Sequence, residues 1–276
     1  MRIDLHIHST ASDGALSPEA VAAAAFQGDL NVIALADHDT VAGVPPLVAS
    51  APPGLRVVPA IEISASGTGG ERHILGYGID VDSPVMERHA AEARVMRADR
   101  MREMIAALGR LGVEVEPARV EGEAAGAPLA RPHLARVLVA LGYVQSHGEA
   151  FARYLGDDAP AYVPADAVSV ADAIQRIDDA GGLSIWAHPP PAASPEELDG
   201  YVSVGLDGIE TYRPRQTREA TRRVVRLARS RGLLTSGGSD WHGPWDVPLG
   251  TFSVDADEVG ELLARLAVPR AGTSPT

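Results

Sequence analysis

Asp4-Leu5-His6-Ile7-His8 is the stretch on which the reading of this chain turns. Ile3, Leu5 and Ile7 alternate with Asp4, His6 and His8, a period of two that predicts a short strand with its polar set on one face. On such a strand the rings of His6 and His8 project side by side, about 7 Å apart, toward a shared point. The same chemistry returns at the edges of later strand-like runs. Asp13-Gly14 follows a predicted turn, Asp37-His38-Asp39 ends the apolar run 32–36, and Glu62 sits between Ile61 and Ile63 near the end of run 56–64. His73 precedes run 74–79, His188-Pro189 follows run 183–187, and Asp240-Trp241-His242 follows run 233–236 through flexible glycines. This set exceeds the roughly four ligands of a closed structural zinc site, and points to two or three divalent ions acting together in hydrolysis.

Around these residues the chain predicts alternating strands and helices, hence a mostly parallel α/β fold. Ser17 reads as the N-cap of a helix with Pro18 in its first turn and an Ala-rich run to about Gln27. Thr40 is positioned to cap a short helix after Asp39. The rhythm breaks at Pro84, where a charged helix over 84–111 carries Met96, Met101, Met104, Ile105 and Leu108 along one core-facing stripe. Shorter helices are expected at 131–141 and 148–155, after a Gly/Glu/Pro-rich connection. Residues 84–160 therefore read as a helical cap inserted over the metal pocket, between barrel segments 1–83 and 161–276. Alternation resumes with helix 169–179, strand 183–187, strand 208–210, a basic helix 217–230, strand 233–236 and the polar loop 237–243. The tail from Ala271 is expected to fray.

Composition narrows the chemistry. The 276 residues are 45% hydrophobic, enough for one large α/β barrel or a smaller domain carrying an insertion. With no cysteine there is no disulfide framework, thiolate nucleophile or Cys-ligated metal, so every metal ligand must be His or carboxylate. The start MRIDLHIHS lacks a signal-type apolar region and no later run suggests a membrane span, so a soluble, cytoplasmic protein is expected. A net charge of -13 argues against gripping duplex DNA but leaves room for a small or single-stranded phosphorylated substrate. The glycine pairs fit neither GxGxxG nor GxxxxGK, and Ser239 lies in no GxSxG elbow.

Among the individual residues, His38 reads as a ligand at a strand edge, with Asp37 and Asp39 orienting it or lining the pocket. Glu62, a carboxylate enclosed by apolar neighbours, reads as a bridge between two cations, which would stabilise its buried charge. Asp4 shares the face of the histidines but lies deeper, and is expected to hold a histidine tautomer. Trp186, Trp241 and Trp245 are read first as packing residues near the catalytic loops.

DLHIHS, ADHDT, the Glu62/His73 region, AHP and GSDWH, in that order, resemble the motif blocks of the polymerase and histidinol phosphatase (PHP) superfamily of metal-dependent phosphoesterases. The resemblance covers the chain apart from the helical insert. It implies a distorted (β/α)7 barrel with a trinuclear site at the C-terminal ends of the strands, holding manganese, iron or zinc. Carried over motif by motif, the ligands are His6, His8, Asp13, His38, Glu62, His73, His188, Asp240 and His242. The segments TASDG-x-LSPE, EIS, HILGY and ARPHLAR are similar to the subgroup that hydrolyses nucleoside 3′,5′-bisphosphates, some of whose members act on nucleoside monophosphates or trim short RNA from the 5′ end. Arg131, His133 and Arg136 of ARPHLAR, together with Arg213, are then the expected phosphate contacts. Pro190-Pro191 and Tyr212-Arg213 depart from the subgroup's usual residues, and Arg213 is read as the replacement contact. In the implied reaction a metal-bridging hydroxide attacks phosphorus, Arg131 or Arg213 stabilises the equatorial oxygens, and Asp13, Asp240 or His133 relays the leaving-group proton. Competing readings are a histidinol phosphate phosphatase and a non-catalytic metal- or phosphate-binding module.

Overall fold

The structure, a computed structural model, describes residues 1–67, 70–191, 193–243 and 247–267. Trp245 and the tail from Ala271 lie outside these residues. The predicted opening strand is β1 (Arg2–Ile7), buried on both faces: Ile3, Leu5 and Ile7 on one side and Asp4 and His6 on the other are all fully enclosed. β2 (Val32–Leu35) runs parallel beside it, and β3 (Arg56–Gly67) parallel beside β2. Run 74–79 is part of a longer β4 (Gly70–Tyr77), which pairs antiparallel with β3 from Ala60↔Tyr77 to Gly67↔Gly70. The link from Gly67 to Gly70 is too short for the crossover that parallel strands need, so a hairpin forms and His73 sits inside the strand, opposite Ser64.

Beyond the hairpin follow β5 (Val168–Ser169), β6 (Leu183–Trp186), β7 (Gly208–Tyr212), β8 (Leu234–Gly237) and β9 (Val254–Asp255). The sheet runs β8-β7-β6-β4-β3-β2-β1-β9, with β5 beside β3. After β8 the chain returns to β1, where Ile7 bridges Trp241 and the His8 amide donates to Trp241 O at 2.9 Å, so the sheet closes almost into a barrel. Apolar clusters hold it: one built on Ile61, Ile63, Ile74 and Trp186, one on Leu5, Ala34, Tyr77 and Ile185, and one on Ile7, Ile33, Leu35 and Leu47. Each such buried Ile or Leu side chain contributes about 1.5–3 kcal/mol relative to exposure.

The helices follow local signals closely. α1 (Pro18–Gln27) starts where Ser17 Oγ accepts the Ala20 amide at 3.3 Å. α2 (Val44–Ser50) begins after Gly43, and the Thr40 hydroxyl accepts from Ala42 in a local turn instead of capping the helix. α3 (Pro84–Arg110) is capped by Ser83 and buries Met101 and Met104 of the methionine stripe. α4 (Pro117–Ala124) occupies part of the connection expected to be irregular. α5 (Arg131–Ala140) and α6 (His147–Ala150) follow, and α6 runs into a π-helical turn, Phe151–Leu155. Met101, Met104, Leu108, Leu134, Leu138 and Leu155 form a core of their own. α7 (Val170–Asp179), α8 (Pro195–Ser203), α9 (Arg218–Arg229) and α10 (Gly260–Arg265) complete the chain. Among the described residues no helix is long and apolar enough to cross a membrane.

Polar ties fasten α3 to the strand edges. Arg97 reaches Asp39 Oδ2 through Nε at 2.8 Å and Ser64 Oγ through Nη2 at 2.8 Å, while His89 Nε2 meets Asp39 Oδ1 at 3.0 Å. Arg100 donates to Val163 O at 2.8 Å and pairs with Glu71 at 3.1 Å.

Candidate metal centre

The strand ends converge on Glu62. Its Oε2 lies 3.2 Å from His6 Nε2, 3.2 Å from His8 Nε2 and 3.1 Å from His38 Nδ1. Its Oε1 lies 2.9 Å from His73 Nδ1 and 2.8 Å from His188 Nε2. Asp240 Oδ1 closes one side, 3.2 Å from His8 Nε2 and 3.4 Å from His6 Nε2. Asp13 faces the other side, with His242 Nε2 at 3.5 Å and His38 Nε2 at 3.9 Å. Overlapping sets able to hold an ion are His8/Asp13/His38/His242, His6/His8/Glu62/Asp240 and His38/Glu62/His73. All the residues singled out by the motif reading as ligands thus surround one pocket.

His6 Nε2, both ring nitrogens of His8, His38 Nδ1 and Glu62 Oε2 are buried and have no hydrogen-bond partner, although they lie only 3.1–3.2 Å from one another in several pairs. A buried polar atom left this way costs about 1–3 kcal/mol, and cations held between oxygen and imidazole nitrogen would remove that cost. The donor set, hard carboxylates with imidazoles and no sulfur, fits divalent metal ions.

Neighbouring groups fix these side chains. Glu210 Oε1 meets His6 Nδ1 at 3.0 Å, which turns His6 Nε2 toward Glu62, and Glu210 Oε2 accepts the His188 amide at 2.7 Å. Asp4, expected to hold a histidine ring, instead accepts the Ser239 amide at 2.8 Å and the His6 amide at 3.3 Å, so it ties β1 to the loop carrying Asp240. Asp37 accepts from Ser9 and Ser12 and thereby positions the Asp13 loop, while Asp39 accepts the Ser64 amide at 2.8 Å. Asp39, His188 and Asp240 have φ of 54°, 26° and 55°, a conformation that costs a non-glycine residue energy and recurs at functional sites. Gly238 passes so close to β1 that a Cβ there would lie 2.4 Å from His6 N, so only glycine lets the Asp240 loop fold over the strand.

Burial alone would push Glu62 toward neutrality, but the surrounding imidazoles overcome it and hold the carboxyl well below its usual range. Burial likewise opposes charge on His73, yet Glu62 and Glu71 raise its ring to about 10. His38 goes the other way: burial pushes it down to about 3, so the ring is neutral and one of its two nitrogens is an electron-pair donor.

The centre opens into a cleft of about 560 Å3 whose walls include Arg97, Arg100, Arg131, His147, Phe151 and Glu71. Of the expected substrate contacts, Arg131 is on this wall, stacked by Phe151 and Tyr162 and paired with Asp157 at 2.7 Å. His133 and Arg136 do not line it. His133 is buried, accepts the Ala130 amide through Nδ1 at 3.0 Å, and burial lowers it to about 4. Arg136 pairs with Glu123 at 2.6 Å and donates to Asp13 O at 3.2 Å. Both therefore brace the loop of Asp13, a geometric consequence of their lying on the side of α5 turned toward that loop. Arg213 borders a different cavity, with Nη2 on Pro189 O at 3.2 Å. Sequence reasoning missed Glu210, Glu71, Arg97 and Arg100. Glu210 carried the same signal as Glu62, an acid beside a buried apolar residue at a strand end.

No family model matches the chain. It is 35% identical over 251 residues to a 5′-3′ exoribonuclease of Haemophilus influenzae, covering 88% of this chain and 90% of the relative. It is 32% identical to a 3′,5′-nucleoside bisphosphate phosphatase of Chromobacterium violaceum, over 88% of this chain and 87% of the relative. A solved protein of Bifidobacterium adolescentis described as a metal-dependent phosphoesterase superposes with a TM-score of 0.86 at 30% identity, over 95% of this chain and 96% of that one. With this likeness along nearly its whole length, and with its carboxylate-imidazole centre, the chain belongs to the PHP family of metal-dependent phosphoesterases, hydrolases of phosphate esters.

Proposed function

We propose that this phosphoesterase removes the 3′-phosphate of nucleoside 3′,5′-bisphosphates and also accepts nucleoside monophosphates and short 5′-phosphorylated single-stranded RNA. The observation that carries the reading is the cleft itself: about 560 Å3, suited to a single nucleotide, with the Glu62 cluster at its floor and Arg131 and Phe151 on its wall. The names of the Haemophilus and Chromobacterium relatives support the nucleotide class.

His6, His8, Asp13, His38, Glu62, His73, His188, Asp240 and His242 are the proposed ligands, for two or three divalent ions, with manganese favoured over iron or zinc. When bound, such ions activate water and neutralise charge on the phosphoryl oxygens. The remaining work falls to the chain. Glu210 holds His6 in the tautomer that presents Nε2, and Asp37 with His133 and Arg136 keeps the Asp13 loop in place. Arg131 offers its guanidinium to the phosphate oxygens, which it holds alike in the bound ester and during the reaction. Asp240, whose side chain is 40% exposed at the cleft, is held ionised against burial by His6 and His8; it takes the proton of the attacking water and relays it to the leaving ester oxygen as the P–O bond breaks. Residues 84–160 act as the cap that shields this chemistry from bulk solvent.

The test is phosphate release by manganese-reconstituted protein from adenosine 3′,5′-bisphosphate, adenosine monophosphate, histidinol phosphate and a short 5′-phosphorylated RNA, with products separated. Dominant turnover of the bisphosphate or RNA is expected. Dominant turnover of histidinol phosphate would reject the nucleotide assignment, and binding without product would favour a non-catalytic module.

A further inference from the structure

Behind the wall that carries His188 lies a second cavity of about 470 Å3, bounded by the Pro189–Pro191 loop, α8, α9 and the turn after β7. Its polar lining is incomplete in a particular way. The Trp186 indole N–H, the Arg213 Nε–H and the Gln216 Oε1 are each buried without a hydrogen-bond partner, and Trp186 as a whole is 1% exposed. Buried orphans of this kind are rare in folded proteins, and three around one cavity call for an occupant. Arg213 is not merely unplaced: its Nη2 is anchored on Pro189 O at 3.2 Å, while its Nε–H is buried without a partner.

The charge of the lining selects the occupant. Arg213 and Arg223 border the cavity, Arg223 with its guanidinium on Pro191 O at 3.0 Å and Ala193 O at 2.7 Å, and no carboxylate does among the described residues, in a chain whose net charge is -13. Ser194 and Thr217, the N-caps of α8 and α9, also line it, so the first turns of both helices lie at its border. The remaining wall is apolar, with Leu198, Ile209, Val224 and Leu227. We propose that this cavity is a second binding site, for a small organic anion that carries a phosphate or carboxylate on an apolar body. Arg213 Nε–H and the Trp186 indole N–H are the donors to the anionic group, and the apolar body packs on the leucine and valine wall. The Gln216 amide meets a further polar atom of the ligand.

The test is a fluorine NMR titration of the full, metal-loaded chain with 4-fluorophenylphosphonate, which has no ester bond to hydrolyse, and separately with 4-fluorobenzoate. The same titrations are run on Glu62→Gln, Trp186→Phe and Arg213→Met. A saturable binding event is expected that survives Glu62→Gln, and so lies outside the metal cleft, and that weakens roughly tenfold or more in Trp186→Phe and in Arg213→Met, the usual cost of one hydrogen bond to a charged group. Tighter binding of the phosphonate assigns the site to phosphates and tighter binding of the benzoate to carboxylates; either upholds it. If circular dichroism shows that Arg213→Met is unfolded, Ala220→Leu, which fills the cavity from α9, takes its place with the same expectation. Absence of any event beyond the one removed by Glu62→Gln would mean that water alone fills the cavity. That result, or an event indifferent to Trp186→Phe and the second variant, overturns the proposal.

Discussion

Replacing Asp39 by Asn removes one charge from the tie between α3 and the barrel while changing almost nothing else. The Asp39 side chain is 3% exposed, and its partners are Arg97 at 2.7 Å, His89 at 3.0 Å and the Ser64 amide at 2.8 Å. Burial would raise its carboxyl, but Arg97 and His89 more than offset that and hold it far below the usual carboxylate range. Asn is isosteric, tolerates the left-handed backbone at φ 54°, and can still accept from Ser64. The loss therefore isolates the charge: Arg97, itself only 12% exposed, is left without its counter-ion. Breaking a buried pair from one side costs about 3–5 kcal/mol. At about 2–4 °C per kcal/mol for a chain of this size, Tm should fall by roughly 6–20 °C in a thermal melt followed by circular dichroism. Arg97→Met with Asp39→Asn should cost much less than the two single losses added together, because the second change removes the stranded charge. A Tm drop below about 2 °C for Asp39→Asn, or strict additivity in the double variant, would refute the reasoning.

Further outcomes follow from the site. Glu210→Gln should weaken metal binding or turnover by roughly 10–100-fold, because it frees the His6 ring and loosens the His188 amide; unchanged metal affinity and kcat would mean that His6 needs no such support. Arg131→Met keeps the stem packed on Phe151 and Tyr162 but deletes the charge, so KM for a nucleotide should rise roughly tenfold or more with kcat little changed. A fall in kcat at constant KM would place Arg131 elsewhere in the reaction. His133, pushed down to about 4 by burial, is neutral in the fold but takes up a proton in the unfolded chain near pH 6.5. Its contribution is therefore intact above pH 6.5 and is lost as pH falls toward 4, on the order of 2–3 kcal/mol in full. Urea melts across that range should show a flatter acid limb for His133→Gln than for the parent protein, and parallel limbs would contradict the assignment.

The carboxylate-imidazole cluster was legible in sequence because its signal is local: an acid or imidazole at the edge of an apolar strand has few other reasons to be there. Glu62 was read from Ile61 and Ile63, and the fold places it at the centre of the imidazoles. Parallel strands were legible where a helix separates them. The β3–β4 hairpin was not drawn from the sequence, because run 74–79 looks alike whether its partner lies parallel or antiparallel; the glycines at 67, 69 and 70 between the runs were the signal that could have shown it. The lining of the cleft was the least legible. Arg131, His133 and Arg136 share one helix start, but which of them meets the cleft depends on how α5 is rotated against the Asp13 loop, and that is set by packing from distant parts of the chain. The bracing network of Glu210, Asp39, Arg97 and His89 joins residues far apart in sequence, for which no spacing rule exists.

The most direct test of the central claim is to measure bound divalent metal and phosphoesterase turnover together, by elemental analysis and phosphate release, in the parent protein, in chelated protein and in Glu62→Gln. The account predicts that chelation abolishes turnover, that added manganese restores it, and that Glu62→Gln loses metal and turnover in parallel because its carboxylate is shared by the ligand sets. Full turnover by metal-depleted Glu62→Gln protein would contradict it.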